Sequence, residues 1–96
     1  MMNFNKIISA LDSEMRQQII KILSRGPSNV AEIFQEINKI RKAAVAYRES
    51  VYRALEKMVA AGLVEKYYDR EKGICYKLFM RKIKLDLVDG TVEKIE

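Results

Sequence analysis

The stretch Val51-Tyr52-Arg53-Ala54-Leu55-Glu56-Lys57-Met58-Val59-Ala60-Ala61-Gly62-Leu63-Val64-Glu65-Lys66 contains a change of periodicity. Up to Val59 the apolar residues Val51, Leu55, Met58 and Val59 recur at helical spacing, and Ala61-Gly62 supplies a stop in which glycine takes the left-handed C-cap. Beyond it, branched and aromatic residues take over. Val51, Leu55, Met58 and, past the turn, Leu63 are placed to pin the helix to a core. The opposite face is left with Arg48, Glu49, Ser50, Tyr52, Arg53, Glu56 and Lys57. A pinned helix with a polar, arginine-bearing outer face is built to be presented to something.

Upstream, Met15, Ile19, Ile20, Ile22 and Leu23 predict an amphipathic helix of about three turns, with Asp12 placed to cap its start and Arg25-Gly26-Pro27 to stop it. Phe4, Ile7, Ile8 and Leu11 form a shorter stripe before it, which is either a core element or half of a dimer contact. After Pro27, Asn29-Val30-Ala31-Glu32 fits a reciprocal cap, in which the asparagine side chain accepts from a free amide and the glutamate returns the bond. The helix it opens carries Val30, Ile33, Phe34, Ile37, Ile40, Ala44 and Val45. The stretch from Asn38 to Tyr47 therefore adds roughly two turns of helix or a long connection, and the junction with the next helix falls between Ala43 and Arg48.

Downstream, Leu63 to Tyr68 and Ile74 to Met80 predict two strands joined by the polar turn Asp69-Arg70-Glu71-Lys72-Gly73, with Ile74, Tyr76, Leu78 and Met80 on one face. A second small hairpin runs from Ile83, Leu85 and Leu87 through Asp89-Gly90 to residues 91–95. A two-residue loop sets Asp86 opposite Glu93; a three-residue loop pairs Asp86 with Lys94 and Lys84 with Glu96. Charge favours the second and glycine placement the first, so the register stays open.

Three to four helices followed by a charged hairpin predict an α+β winged helix-turn-helix, with residues 1–80 as one domain and residues 81–96 as a C-terminal β extension on that domain or on a dimer partner. The segment from Val51 to Lys66 resembles the recognition helix and following strand of winged helix-turn-helix transcription regulators. The run Ala10-Leu11-Asp12-Ser13-Glu14-Met15-Arg16-Gln17-Gln18-Ile19-Ile20-Lys21-Ile22-Leu23 is similar to the opening helix of their arsenic-repressor-like (ArsR-like) branch. The resemblance spans residues 10–80. It implies a sequence-specific regulator of transcription that binds double-stranded DNA, with Arg48, Glu49, Ser50, Tyr52 and Arg53 near the bases of a major groove and Lys57 at a phosphate. It also implies a homodimer reading two half-sites, through either the Phe4 stripe or the terminal hairpin. The alternatives are an ordinary solvated helix face, and a winged-helix module that contacts protein within a larger complex and never DNA.

Charge distribution supports the DNA reading. Residues 41–82 hold eleven Lys or Arg against five acids, whereas the chain as a whole carries +5. At the wing tip, Arg70 and Lys72 are placed for nonspecific contact with backbone or minor groove, with Asp69 and Glu71 opposing close approach to phosphate. Lys39, Arg41 and Lys42 lie just before the recognition helix and are candidates for the DNA backbone. Tyr47, Tyr52, Tyr67, Tyr68 and Tyr76 could stack on single strands, although core or strand-face packing fits their strand alternation better.

Composition narrows the other options. The chain has 96 residues, no histidine and one cysteine, which leaves one domain's worth of core and removes histidine chemistry and thiolate clusters. No enzyme, cofactor or metal site is expected, and the metal-sensing motifs of the ArsR-like branch are not matched. Cys75 on a wing strand reads as a packed or partly exposed residue rather than a redox sensor. No signal-peptide pattern or membrane-length apolar run occurs, so a cytoplasmic protein without membrane contact is expected.

Overall fold

The computed structural model describes residues 2–40 and 47–95. Helix α1 (Phe4–Leu11) starts at Asn3, whose side chain accepts from the Lys6 amide. Helix α2 (Glu14–Leu23) follows at once, and its cap is Ser13, with Oγ accepting from the Arg16 amide at 3.3 Å. This corrects the assignment of Asp12. Ser13 has the extended backbone that an N-cap needs, whereas Asp12 is still tied to α1 as its C-cap through its N–H to the Ser9 carbonyl. Arg16 locks the corner by donating to the carbonyls of Ala10, Ser9 and Asp12 at 2.8, 3.0 and 3.2 Å.

Helix α3 (Val30–Ile40) opens with the expected reciprocal cap: the Glu32 amide donates to Asn29 Oδ1 at 2.9 Å, and the Asn29 amide donates to Glu32 Oε1 at 3.0 Å. Its expected continuation through Ala44 and Val45 lies outside the described residues. Helix α4 (Arg48–Ala60) starts at the late end of the anticipated junction, after Tyr47. It ends in a Schellman turn, with the Leu63 amide on the Met58 carbonyl, the Gly62 amide on the Val59 carbonyl, and Gly62 at φ +81°.

Strand β1 (Ser28–Asn29) was not visible in the sequence, because two residues are too few to show alternation. It pairs with β3 (Gly73–Leu78), which pairs in turn with β2 (Val64–Asp69), giving the antiparallel order β1-β3-β2. Tyr76 and Met80 are buried as expected for the inner strand face and Leu78 is half-buried, but Ile74 is 48% exposed.

The second sheet, β4 (Ile83–Asp86) with β5 (Thr91–Lys94), adopts neither anticipated register. Leu85 faces Val92 and Lys84 faces Glu93 around a four-residue loop, 87–90. Asp86 decides this. Its Oδ1 accepts from the amides of Val88 and Asp89 at 3.0 and 2.9 Å, its carbonyl accepts from Gly90, and Gly90 takes φ +65°. Ile83, Leu85 and Val92 turn toward the main core, which is built from Ile7, Ile19, Ile33, Ile37, Leu55 and Met58, all fully buried. The architecture is an α+β winged helix-turn-helix with a C-terminal β extension.

Candidate nucleic-acid interface

Val51, Ala54, Leu55 and Met58 bury one face of α4, and Leu63 and Val64 close the core beyond its end. Burial of this stripe fixes the rotation of the helix, and the residues singled out in the sequence emerge together on the opposite side. Arg48, Glu49, Ser50, Tyr52, Arg53 and Lys57 are all exposed. Within this face Arg53 Nη2 donates to Glu49 Oε1 at 2.8 Å, one turn apart, with both side chains more than two-thirds exposed. Such a pair contributes roughly 0.3–0.5 kcal/mol and is easily exchanged for another partner.

Glu56, expected on the open face, instead joins the helix to the wing. Its carboxylate receives the Lys66 ammonium at 3.1 Å and the Tyr76 hydroxyl at 2.9 Å. Lys66 and Tyr76 are cross-strand partners on β2 and β3, so one carboxylate fixes both wing strands against the helix. Burial, followed by the bond to Glu56, holds the Tyr76 phenol protonated well above its ordinary value.

At the wing tip, Asp69 Oδ1 accepts from the amides of Glu71 and Lys72 at 2.8 and 3.0 Å, and these bonds hold its carboxyl below the usual range. Asp69 is thus the turn-former of the wing, with its charge directed at backbone amides. Lys72 reaches back to Glu32 at 3.1 Å, while its carbonyl accepts from Asn29 Nδ2 at 3.3 Å. The Asn29 amide and then Lys72 lower the Glu32 carboxyl, and Glu32 raises the Lys72 ammonium. The wing tip is therefore latched to the start of α3.

Arg70 is exposed at the tip, and Arg48, Lys57 and Arg70 form no ion pair among the described residues. Lys39 is exposed and pairs loosely with Glu36 at 3.4 Å, while Arg41 and Lys42 lie outside the described residues. The tyrosines divide. Tyr76 is core, and Tyr67 packs on the outer wing face with Lys77 5.5 Å above its ring. Tyr47, Tyr52 and Tyr68 are 75%, 47% and 69% exposed, so packing does not account for them. Cys75 is buried on the central strand, with Asn29 and Tyr67 as cross-strand neighbours.

Sequence reasoning missed Tyr68 and Ile74, cross-strand partners that form an exposed apolar pair on the same wing face as Lys66 and Tyr76. Period-two alternation put Ile74 on the core face but could not show where the core stops. It also missed the two latches. The capping pattern had already identified Glu32, and only the third dimension brings Lys72 to it.

No family model and no curated protein matches the chain. Solved structures do. A zinc-bound manganese uptake regulator superposes with a TM-score of 0.62 at 24% identity, covering 88% of this chain and 66% of its own. A second manganese uptake regulator gives 0.62 at 20% identity, covering all of this chain and 75% of its own. The shared fold is the winged helix. Both names belong to regulators other than the ArsR-like branch suggested by the sequence, and at these identities the likeness carries the architecture alone. The chain has no histidine, its cysteine is buried, and no group of three or more potential metal ligands occurs among the described residues. No helix among the described residues is long and apolar enough to cross a membrane.

Proposed function

We propose that the chain is a sequence-specific, double-stranded-DNA-binding regulator of transcription, with α4 in the major groove and the wing against the backbone or adjacent minor groove. The observation that carries this reading is the exposed face of α4. Arg48, Glu49, Ser50, Tyr52 and Arg53 share one surface, set rigidly beside the wing by Glu56. Arg48 and Arg53 have the fork that reads guanine bidentately, and Glu49 accepts from cytosine once Arg53 leaves it. Lys57 and Arg70 suit phosphates, as do Lys39, Arg41 and Lys42. Lys72 contributes only by exchanging Glu32 for phosphate.

In this reading residues 1–80 are the DNA-binding domain of a cytoplasmic, non-enzymatic protein, residues 81–96 extend it, and two copies read two half-sites. Kinship with the ArsR-like branch rests on the run 10–23, that with winged helix-turn-helix regulators in general on the run 51–66, and no metal is carried over. Fluorescence anisotropy against a random-duplex pool across salt concentrations, followed by selection of bound sequences, tests the proposal. Recovery of a two-part motif supports it. Failure to bind any duplex at low salt overturns it in favour of a protein-contact module, a reading supported by exposed Leu87 and Val88.

A further inference from the structure

The β4–β5 hairpin forms a separate two-stranded sheet, so each of its strands has one edge unpaired among the described residues. Such edges are templates for another strand. The Lys82 carbonyl accepts from the Ile95 amide and the Asp86 carbonyl from the Gly90 amide. Even-numbered residues of β4 therefore direct their backbone groups inward, whereas Ile83 and Leu85 direct theirs to the free edge.

We propose that the free edge of β4 is the dimer seam, pairing antiparallel with β4 of a second copy about a twofold axis at Leu85. This deepens the two-copy part of the proposed function and rests on it. The register sets Leu85 opposite its own symmetry mate and Lys84 opposite Asp86 of the second copy, and brings Ile83 to Leu87, the first loop residue, of the second copy. Two symmetric ion pairs result, and the backbone groups that must bond across the axis are those already facing outward.

Moving the axis to Lys84 or Asp86 confronts like charges. On β5, an axis at Glu93 or Lys94 does the same, and one at Val92 gains no ion pair. The charge pattern thus selects one edge and one register. A second copy also explains Leu87, 77% exposed in the single chain. The sheet β5-β4-β4-β5 places Ile83, Leu85 and Val92 of both copies on one apolar face, toward the two cores. The rival seam on α1 has less to offer, since Ile7 and Ala10 are buried, Phe4 and Leu11 are half-buried, and Ile8 is 41% exposed.

Sedimentation of the full chain over a concentration series is expected to move from 11.2 kDa to twice that mass. In backbone hydrogen exchange, the Leu85 and Ile83 amides should gain protection with concentration while Val92 and Lys94 do not. L87K and K84E/E93K should both remain folded monomers, because the double variant keeps opposite charges at the cross-strand positions 84 and 93 but sets a carboxylate at position 84 against Asp86 across the axis. A chain monomeric at every concentration overturns the seam, and so does a dimer that survives both variants. Duplex binding by anisotropy is read separately. A dimer joined elsewhere that binds DNA overturns the seam alone, and a β4-joined dimer that binds no duplex overturns the DNA reading alone.

Discussion

At Asn29 and Glu32 a four-residue pattern in the sequence became two hydrogen bonds in the structure, and Glu32 then took a further role as the anchor for Lys72. Asn29→Ala removes both the α3 cap and the bond to the Lys72 carbonyl. It should cost about 1 kcal/mol in urea denaturation, with most of that loss coming from the cap. The wing tip carries a signature of its own. Asp69 and Glu32 have depressed carboxyl pKa values, so each adds stability that is complete above the ordinary carboxylate range and lost as pH falls through the lowered value. The Lys72 shift has the opposite sense: its contribution is complete below the ordinary lysine range and lost as pH rises through the raised value. Amide chemical shifts of Glu71 and Lys72 should therefore stay constant through neutral pH. They should break only once acid passes below the usual carboxylate range or base reaches the lysine range; a midpoint near neutrality would contradict the latch.

Between elements, one carboxylate couples α4 to both strands of the wing. Glu56→Ala strands the part-buried Tyr76 hydroxyl and frees Lys66, whereas Tyr76→Phe removes only the donor. The first should cost roughly 1–3 kcal/mol and the second about 1 kcal/mol, as measured by chemical denaturation. The helix and wing should also differ in what they do to DNA. Arg53→Ala is expected to lose roughly 1–3 kcal/mol on the selected sequence and to relax preference at one position. Arg70→Ala should weaken all duplexes alike and lower the salt slope by about 1. Equal losses on selected and random duplexes for Arg53→Ala would remove it from the bases. Elements with strong periodicity or caps, α2, α3, α4 and the wing, were legible in advance. The second hairpin was legible as an element but not in register, because Asp86 closes a four-residue loop through its own side chain, and charge pairing alone pointed elsewhere.

Across the whole molecule, the eleven Lys and Arg of residues 41–82 overstate the cations free to meet DNA. Arg53, Lys66, Lys72 and Lys77 already hold carboxylates in the folded chain. Binding should therefore show a shallower dependence of affinity on salt than a count of eleven cations in residues 41–82 suggests. Neutralising Lys39, Arg41 and Lys42 together should flatten it further. An unchanged slope in a salt titration of the triple variant would place those three away from the phosphates.

The sequence by itself determined which face of α4 is pinned, where α3 is capped, where α2 and α4 stop, and that a charged hairpin follows. These depend on residue spacing and on groups within a few positions of one another, such as Asn29 with Glu32 and Gly62 with Met58. Tertiary structure alone decided which charges of the wing are free. Lys72 meets Glu32 forty residues away and Lys66 meets Glu56 across a turn, and both pairs exist only because the wing folds back over α3 and α4. Local periodicity reports the direction of a side chain relative to its own element; the partner waiting there is set by packing between elements far apart in the chain.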